Sequence, residues 1–347
     1  MTEKHAHTTI YQVAVEAGVA ISTVSKVLTN KPGISPETRE KVRQAVEKLG
    51  YVPSLAARGL SEGRTGIVAV IFAFPPNLLF TDPYLLKNLL GIKETLDEFD
   101  YNLLLSTAKA DDPTSSFDRL LRSRYFDGVI ILETSEIHRA TLHQKLVNQH
   151  KPWVIMGFSG ETDDCSAVYV NEYAGGQALA QHLLSLGHRT FGMVSTVTRP
   201  SGVNERVRGF TETLKCNGIE IDPDLVFYGD FSQESGNKIA RSLLYRPNRP
   251  SAIFAINDRL ALGIMKWAQE QGLRVPDDFS IVGFDDIESA SLAHPALTTI
   301  RQPGVELGRT AAQMVLRLIN GESGPLREML QTELILRGTT RRAINGI

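Results

Sequence analysis

The chain has 347 residues, 42% hydrophobic and 22% charged, with 28 Gly and 16 Pro. At roughly 150 residues per domain this makes two or three domains, and the composition excludes a collagen-like, mostly disordered or disulfide-framework protein. The net charge is −2, yet residues 1–64 hold nine Lys/Arg against six acids, so a head of +3 precedes a body of −5. That asymmetry suits a nucleic-acid-reading module joined to a regulatory one; the bland alternative is a chance fluctuation in a charged helical segment.

No apolar run reaches the roughly 18 residues of a membrane span, and the polar stretch Met1–His7 leads into no apolar signal segment. A cytoplasmic location is therefore expected. Cys165 and Cys216 stand far apart, with no CxxC and no His at ligand spacing. They read as reduced thiols, and neither a metal nor a cofactor is expected.

Residues 9–50 read as three short helices. Thr9-Ile10-Tyr11-Gln12 has the form of a capping box, Val13, Ala14 and Ala17 share a face, and Gly18 stops the first helix. Ser22–Leu28 is the second, with Val24, Val27 and Leu28 on one side. Ser35-Pro36-Glu37 starts the third: a Ser N-cap, Pro at the first position, an acid in the first turn. Val42, Ala45, Val46 and Leu49 then recur at helical spacing. After Pro53, Ser54–Leu60 could form about two turns, too few to be stable alone, and Ser61–Gly66 is a linker by composition.

From Ile67 onward, strand-length apolar runs alternate with amphipathic helices. The strands are expected at Gly66–Phe74, Asn102–Ser106, Gly128–Leu132, Trp153–Met156, Ala167–Val170, Phe191–Val194, Ala252–Ile256 and Ser280–Phe284. The helices are expected at Tyr84–Phe99, Ala174–Leu186, Asn204–Asn217, Ser235–Leu244, Arg259–Gln271 and Val305–Ile319. Such alternation means parallel sheets covered on both faces, here in two α/β lobes. Pro75–Asp82 reads as a long loop. His188 follows Gly187 at a helix end, where a cation suits the dipole. No GxSxG, GxGxxG, P-loop or HExxH motif occurs, and no nucleophile–base set assembles, so an enzyme is not expected.

The head and hinge resemble those of the lactose/purine repressor (LacI/GalR) family of bacterial transcription regulators. The matches run through Val13-Ala14, Ala17-Gly18-Val19, Ser22-Thr23-Val24-Ser25, Val27-Leu28, Leu49-Gly50-Tyr51, Pro53, Ala57-Arg58 and Leu60. They continue in family order through Leu186-Gly187-His188, Arg206, Gly209-Phe210, Asn257-Asp258, Gly283-Phe284-Asp285-Asp286 and Pro295 to Gln302. The resemblance implies a three-helix helix-turn-helix head with a hinge helix. Behind it comes a periplasmic-binding-protein-like α/β core of two doubly wound parallel-sheet lobes. The expected boundaries are 1–53 for the head, 54–65 for hinge and linker, and 66–347 for the core. Within the core the N-lobe spans about 66–166 plus 301–325, and the C-lobe about 167–300 plus 326–347.

By the same resemblance Ile21, Ser22 and Lys26 face base edges of double-stranded operator DNA. Thr9, Thr23, Ser25 and Asn30 hold phosphates. Leu60 is the wedge in the minor groove, and Ala57 is small enough for two hinge helices to approach. Ala20 stands where the family usually has a Ser cap. The effector is expected between the lobes, on Arg206 and Asp285, with Asn257 and Gln302 as weaker candidates and Phe72 and Phe74 as wall aromatics. The bland alternative for Asp285 and Asn257 is a helix cap. A sugar or sugar derivative is the expected effector; a purine-like corepressor, or a carbohydrate-binding protein that ignores DNA, is the alternative. A homodimer is expected, with Leu85, Leu89 and Ile92 as a candidate dimer stripe and lobe core as the bland alternative for it. The six residues after Arg341 are too short for a heptad tail.

Overall fold

A computed structural model describes residues 8–29, 31–51, 64–72, 76–107, 117, 120, 125–132, 146, 151–157, 165–197 and 200–343. The head is built from α1 (Ile10–Ala17), α2 (Ile21–Leu28) and α3 (Pro36–Leu49). Its small core is Val13, Ala14, Val24, Val27, Val42, Ala45 and Tyr51. The caps are those the residues specify. Thr9 and Gln12 form a reciprocal capping box, Gly18 closes α1 at φ 65°, and Ser35 accepts from Thr38 N ahead of Pro36. No side chain caps α2 at Ala20, and Ser22 does not take over that role. At the end of the linker, the Asp127 carboxylate accepts from Thr65 N and from Gly66 N, both at 2.8 Å. The hinge residues 54–60 lie outside the described residues.

The remainder holds two sheets. The first has the order β11-β5-β4-β3-β1-β2 and comprises β1 (Ile67–Phe72), β2 (Asn102–Thr107), β3 (Gly128–Leu132), β4 (Trp153–Met156), β5 (Ser166–Val170) and β11 (Arg327–Leu330). The second has the order β7-β6-β8-β9, from β6 (Phe191–Thr196), β7 (Val226–Gly229), β8 (Ala252–Ala255) and β9 (Ser280–Val282). Pairings β1–β3, β3–β4, β4–β5 and β5–β11 are parallel, as are β6–β7, β6–β8 and β8–β9. Buried runs such as Val129–Leu132 and Ala252–Ile256 suit strands covered on both faces. A short antiparallel ribbon, β10 (Thr299–Arg301) with β12 (Glu333–Ile335), adjoins the second sheet through the bridge Val282–Thr298.

Helices α4 (Pro76–Thr81), α5 (Pro83–Glu98) and α11 (Gly304–Ile319) belong to the first lobe. The second lobe has α6 (Glu172–Ser185), α7 (Ser201–Cys216), α8 (Gln233–Leu244), α9 (Asp258–Glu270) and α10 (Glu288–Leu292). Among the described residues no helix is long and apolar enough to cross a membrane.

Four expectations are corrected. Strand Ser166–Val170 belongs to the first sheet, because it continues the parallel ladder of β4, and β11 joins the same sheet beside it. The chain therefore leaves the first lobe after Val170 rather than at 167, returns after Arg301, and re-enters the second lobe only after Leu330. Pro76–Thr81 is helical, not loop: Pro opens the helix and Leu79 is fully buried beneath it. Leu85 and Ile92 are lobe core, with Leu89 packed against it, because α11 lies along that face; the exposed apolar residues of α5 are Leu86 and Leu90. His188 is no cation on a helix end. It is buried, its Nδ1 pairs with Ser251 Oγ at 2.9 Å and its Nε2 with Arg341 O at 3.0 Å, and burial lowers its pKa, so a neutral ring bridges them.

Among the described residues, three helix pairs touch through reciprocal glycines. A Cβ at Gly91 of α5 would sit 1.9 Å from Val305 O, and one at Gly308 of α11 would sit 2.0 Å from Asn88 O. The same holds for Gly176 with Gly209 between α6 and α7, and for Gly236 with Gly263 between α8 and α9. Gly91→Ala thus pits a helix-propensity gain of about 1 kcal/mol against backbone overpacking of roughly 1–3 kcal/mol. The clash at 1.9 Å decides the sign: urea denaturation should give a lower midpoint for the variant.

Candidate effector pocket and DNA-reading helix

A cavity open to solvent lies between the lobes. Phe72 from the end of β1, Leu78 from α4, and Tyr84 and Leu85 from α5 form one wall. Val203 and Arg206 from α7, Phe231, Asn257 and Asp285 form the other. Glu172, Asp82, Pro200 and Gly202 complete it.

Arg206 is its electrostatic centre. It is 4% exposed, so its charge survives only with partners. Nε donates to Glu172 Oε2 at 2.7 Å, Nη2 to Glu172 Oε1 at 3.1 Å, and Nη1 to Ile256 O; Asp285 Oδ1 lies 3.7 Å from Nη1. The guanidinium rests 3.6 Å from the centroid of the Phe284 ring. Burial works against its charge, but the Glu172 and Asp285 carboxylates outweigh it and raise its pKa.

Asp285 follows β9 with φ 118°, a backbone conformation costing about 1–3 kcal/mol for a non-glycine. Burial raises its pKa well above the usual carboxylate range, with the Asp82 and Asp258 charges adding and Arg206 opposing. Gln302 Nε2 donates to its Oδ1 at 2.7 Å. Gln302 does not itself line the cavity, so it positions Asp285. Asn257 has two tasks. Its Oδ1 caps α9 by accepting from Leu260 N at 2.9 Å, as the bland reading held, and its Nδ2 donates to Phe231 O at 3.0 Å. That bond holds Phe231, at φ 66°, against the cavity. Phe72 is fully buried in the wall; Phe74, Asn30, Ala57 and Leu60 lie outside the described residues.

Sequence reasoning missed Glu172, Asp82, Tyr84 and Phe231. Glu172 looked like an ordinary acid in the first turn of a helix, and Phe231 carried no motif. Among the described residues, contacts that cross between the lobes at this site include Asp82 Oδ2 with Arg259 Nη1 at 3.5 Å and Lys87 Nζ to Asp286 O at 3.2 Å.

Behind the pocket Asp258 is fully buried. Its Oδ2 accepts from Ile287 N at 2.9 Å and its Oδ1 from Thr299 Oγ1. Burial, the largest cause, pushes its pKa up to about 7, the two hydrogen bonds opposing.

On the head, Ile21, Ser22 and Lys26 of α2 are exposed on the face opposite buried Val24 and Val27, and Thr23 and Ser25 are half-buried. Thr9 is exposed, with its hydroxyl engaged in the α1 capping box.

A two-lobed ligand-binding fold behind a helix-turn-helix head is the architecture of a small-molecule-controlled regulator, and sequence comparison agrees. Residues 9–54 match the model for bacterial regulatory proteins of the lacI family, and residues 180–340 match a periplasmic binding protein-like domain. The regulator CelR of Thermobifida fusca is 34% identical over 343 residues, covering 96% of this chain and 99% of CelR. The repressor CytR of Escherichia coli K12 is 30% identical over 96% of each chain. The structure of a CelR–cellobiose complex superposes with TM-score 0.73 at 32% identity, over 96% of this chain and 100% of that one. The lac repressor dimer bound to operator and the anti-inducer ONPF gives 0.86 at 28%, over 96% and 99%. The chain belongs to the lacI family of bacterial regulatory proteins and is a DNA-binding transcriptional regulator.

The acid at 258 makes stability depend on pH. Its folded pKa lies above the unfolded value, so below about 4 both states are protonated and nothing is lost. Between about 4 and 7 the unfolded state releases the proton while the folded state keeps it, and stability falls as pH rises. Asp258→Asn should therefore flatten the decline in unfolding free energy measured by urea titration from pH 4 to 7.

Proposed function

We propose that this protein is a repressor that grips a palindromic operator as a homodimer and is switched by a sugar or sugar derivative held between its lobes. In this reading Ile21, Ser22 and Lys26 read base edges, and Thr9, Thr23, Ser25 and Asn30 hold phosphates. Ala57 and Leu60 act from the hinge. Arg206, Asp285, Asn257, Phe72 and Phe74 serve the effector, with Gln302 acting through Asp285. The domain boundaries are those of the sequence, with the lobes exchanging chain at Val170, Arg301 and Leu330. The protein works in the cytoplasm and catalyses no reaction.

The observation that carries the sugar reading is the pairing of aromatic side chains (Phe72, Tyr84, Phe231) with buried hydrogen-bonding groups (Asn257, Asp285, Glu172) in the lining of one cavity. Pyranose rings offer an apolar face and a rim of hydroxyls to such walls. The CelR structure, named as a cellobiose complex, supports the class, and the lac repressor dimer on its operator supports the assembly.

A thermal-shift panel of neutral mono- and disaccharides, adenine and hypoxanthine tests the effector class, since a ligand at 100 times its Kd adds about 2.7 kcal/mol. Stabilisation by a purine and by no saccharide would overturn it. Asp285→Ala should weaken the active saccharide by roughly 1–3 kcal/mol while leaving effector-free operator affinity intact. On the head, Lys26→Ala should cost about 1–3 kcal/mol of discrimination between operator and random duplex. Ser25→Ala should weaken both duplexes alike; equal behaviour of the two variants would reject that division.

A further inference from the structure

The described wall of the cavity carries three carboxylates, Asp82, Glu172 and Asp285, and a single cation, Arg206. A guanidinium is the side chain best shaped to take a phosphate or carboxylate, because its planar fork meets two oxygens at once. In this pocket the fork is already filled. Glu172 takes Nε and Nη2 in a bidentate grip at 2.7 and 3.1 Å, and Nη1 is held by Ile256 O beside Asp285. The carboxylate is firmly seated. Glu172 stands at the first position of α6, 8% exposed, and Gly202 of α7 leaves the space it occupies: a Cβ there would lie 2.9 Å from Glu172 Oε1.

We infer that Glu172 is a specificity-determining residue: by occupying the Arg206 fork from inside the pocket, it restricts the site to uncharged, hydroxyl-bearing ligands and excludes phosphorylated or carboxylated ones. This rests on the cavity being the effector pocket. An entering anion must break a buried bidentate pair and then share the cavity with the released carboxylate, like charge against like in a low dielectric. A hydroxyl has no such conflict. It donates to a carboxylate oxygen of Glu172 or Asp82 and adds no charge.

The test uses the full chain, with inorganic phosphate and glucose 6-phosphate as probes at constant ionic strength. Glu172→Gln keeps the side-chain shape and removes the charge. It should lower the Tm, because a buried cation loses its bidentate charged partner. Phosphate should then restore the Tm selectively and bind at least about tenfold tighter than to the wild type. Glu172→Asp, which keeps the charge, should still exclude phosphate. Equal phosphate affinity in wild type and Glu172→Gln, or phosphate binding gained equally by Glu172→Asp, overturns the assignment. The wild-type arm needs no variant: glucose 6-phosphate bound more tightly than glucose overturns it as well. Failure of the saccharide panel above would remove the sugar reading, whereas failure here would remove the role of Glu172, so the two are separable.

Discussion

A guanidinium withdrawn from water is the constraint around which the cleft is organised. Arg206 can stay charged in its setting only because partners arrive from separate parts of the second lobe: Glu172 at the start of α6, Ile256 at the end of β8, and Asp285 after β9. The ring beneath it is set in the same way. Gly175 makes room for Phe284, since a Cβ there would lie 2.7 Å from the ring Cζ, and Phe284 then offers its face to Arg206. Removing any member leaves another buried group without its partner. The pocket wall is therefore shaped before a ligand arrives, which reduces the ordering that binding must supply.

The contacts that join the lobes are of a different kind. Asp82 with Arg259, at the outer limit of a hydrogen bond, and Lys87 with the Asp286 carbonyl are single polar ties at the mouth of the cavity. Bonds to charged groups contribute about 1.5–3 kcal/mol each, with the long one at the low end.

The sequence made the helices of this fold legible because their ends carry local chemistry. The Thr9–Gln12 box and the Ser35-Pro36 start depend on residues within one turn, and the structure uses both. Long apolar runs likewise marked the central strands. What stayed hidden depends on partners distant in the chain. Ser166–Val170 reads as a strand, but nothing local says that it pairs with β4. The stripe Leu85, Leu89, Ile92 announces a buried face, and periodicity alone does not say whether α11 or a second molecule covers it. Glu172 was invisible for the same reason. An acid in a first helical turn is ordinarily there for the dipole, and its partner lies 34 residues away.

Asp285 and Asp286 show how far one residue step can separate chemical fates. Both follow β9, with φ of 118° and 53°, a strained geometry that ladder contacts to β10 maintain: Asp285 N donates to Ile300 O at 2.8 Å. The turn points Asp285 into the cavity, where burial raises its pKa. It points Asp286 at Arg337 and Arg301, where burial still opposes ionisation but the two guanidiniums, at 2.6 and 2.8 Å, outweigh it and lower the pKa. The neutralising partners thus sit on Asp286, leaving Asp285 with Gln302 and a share of Arg206. Gln302 stands on the segment by which the chain returns to the first lobe and α11. One 2.7 Å bond thus ties Asp285 to the connection between the lobes.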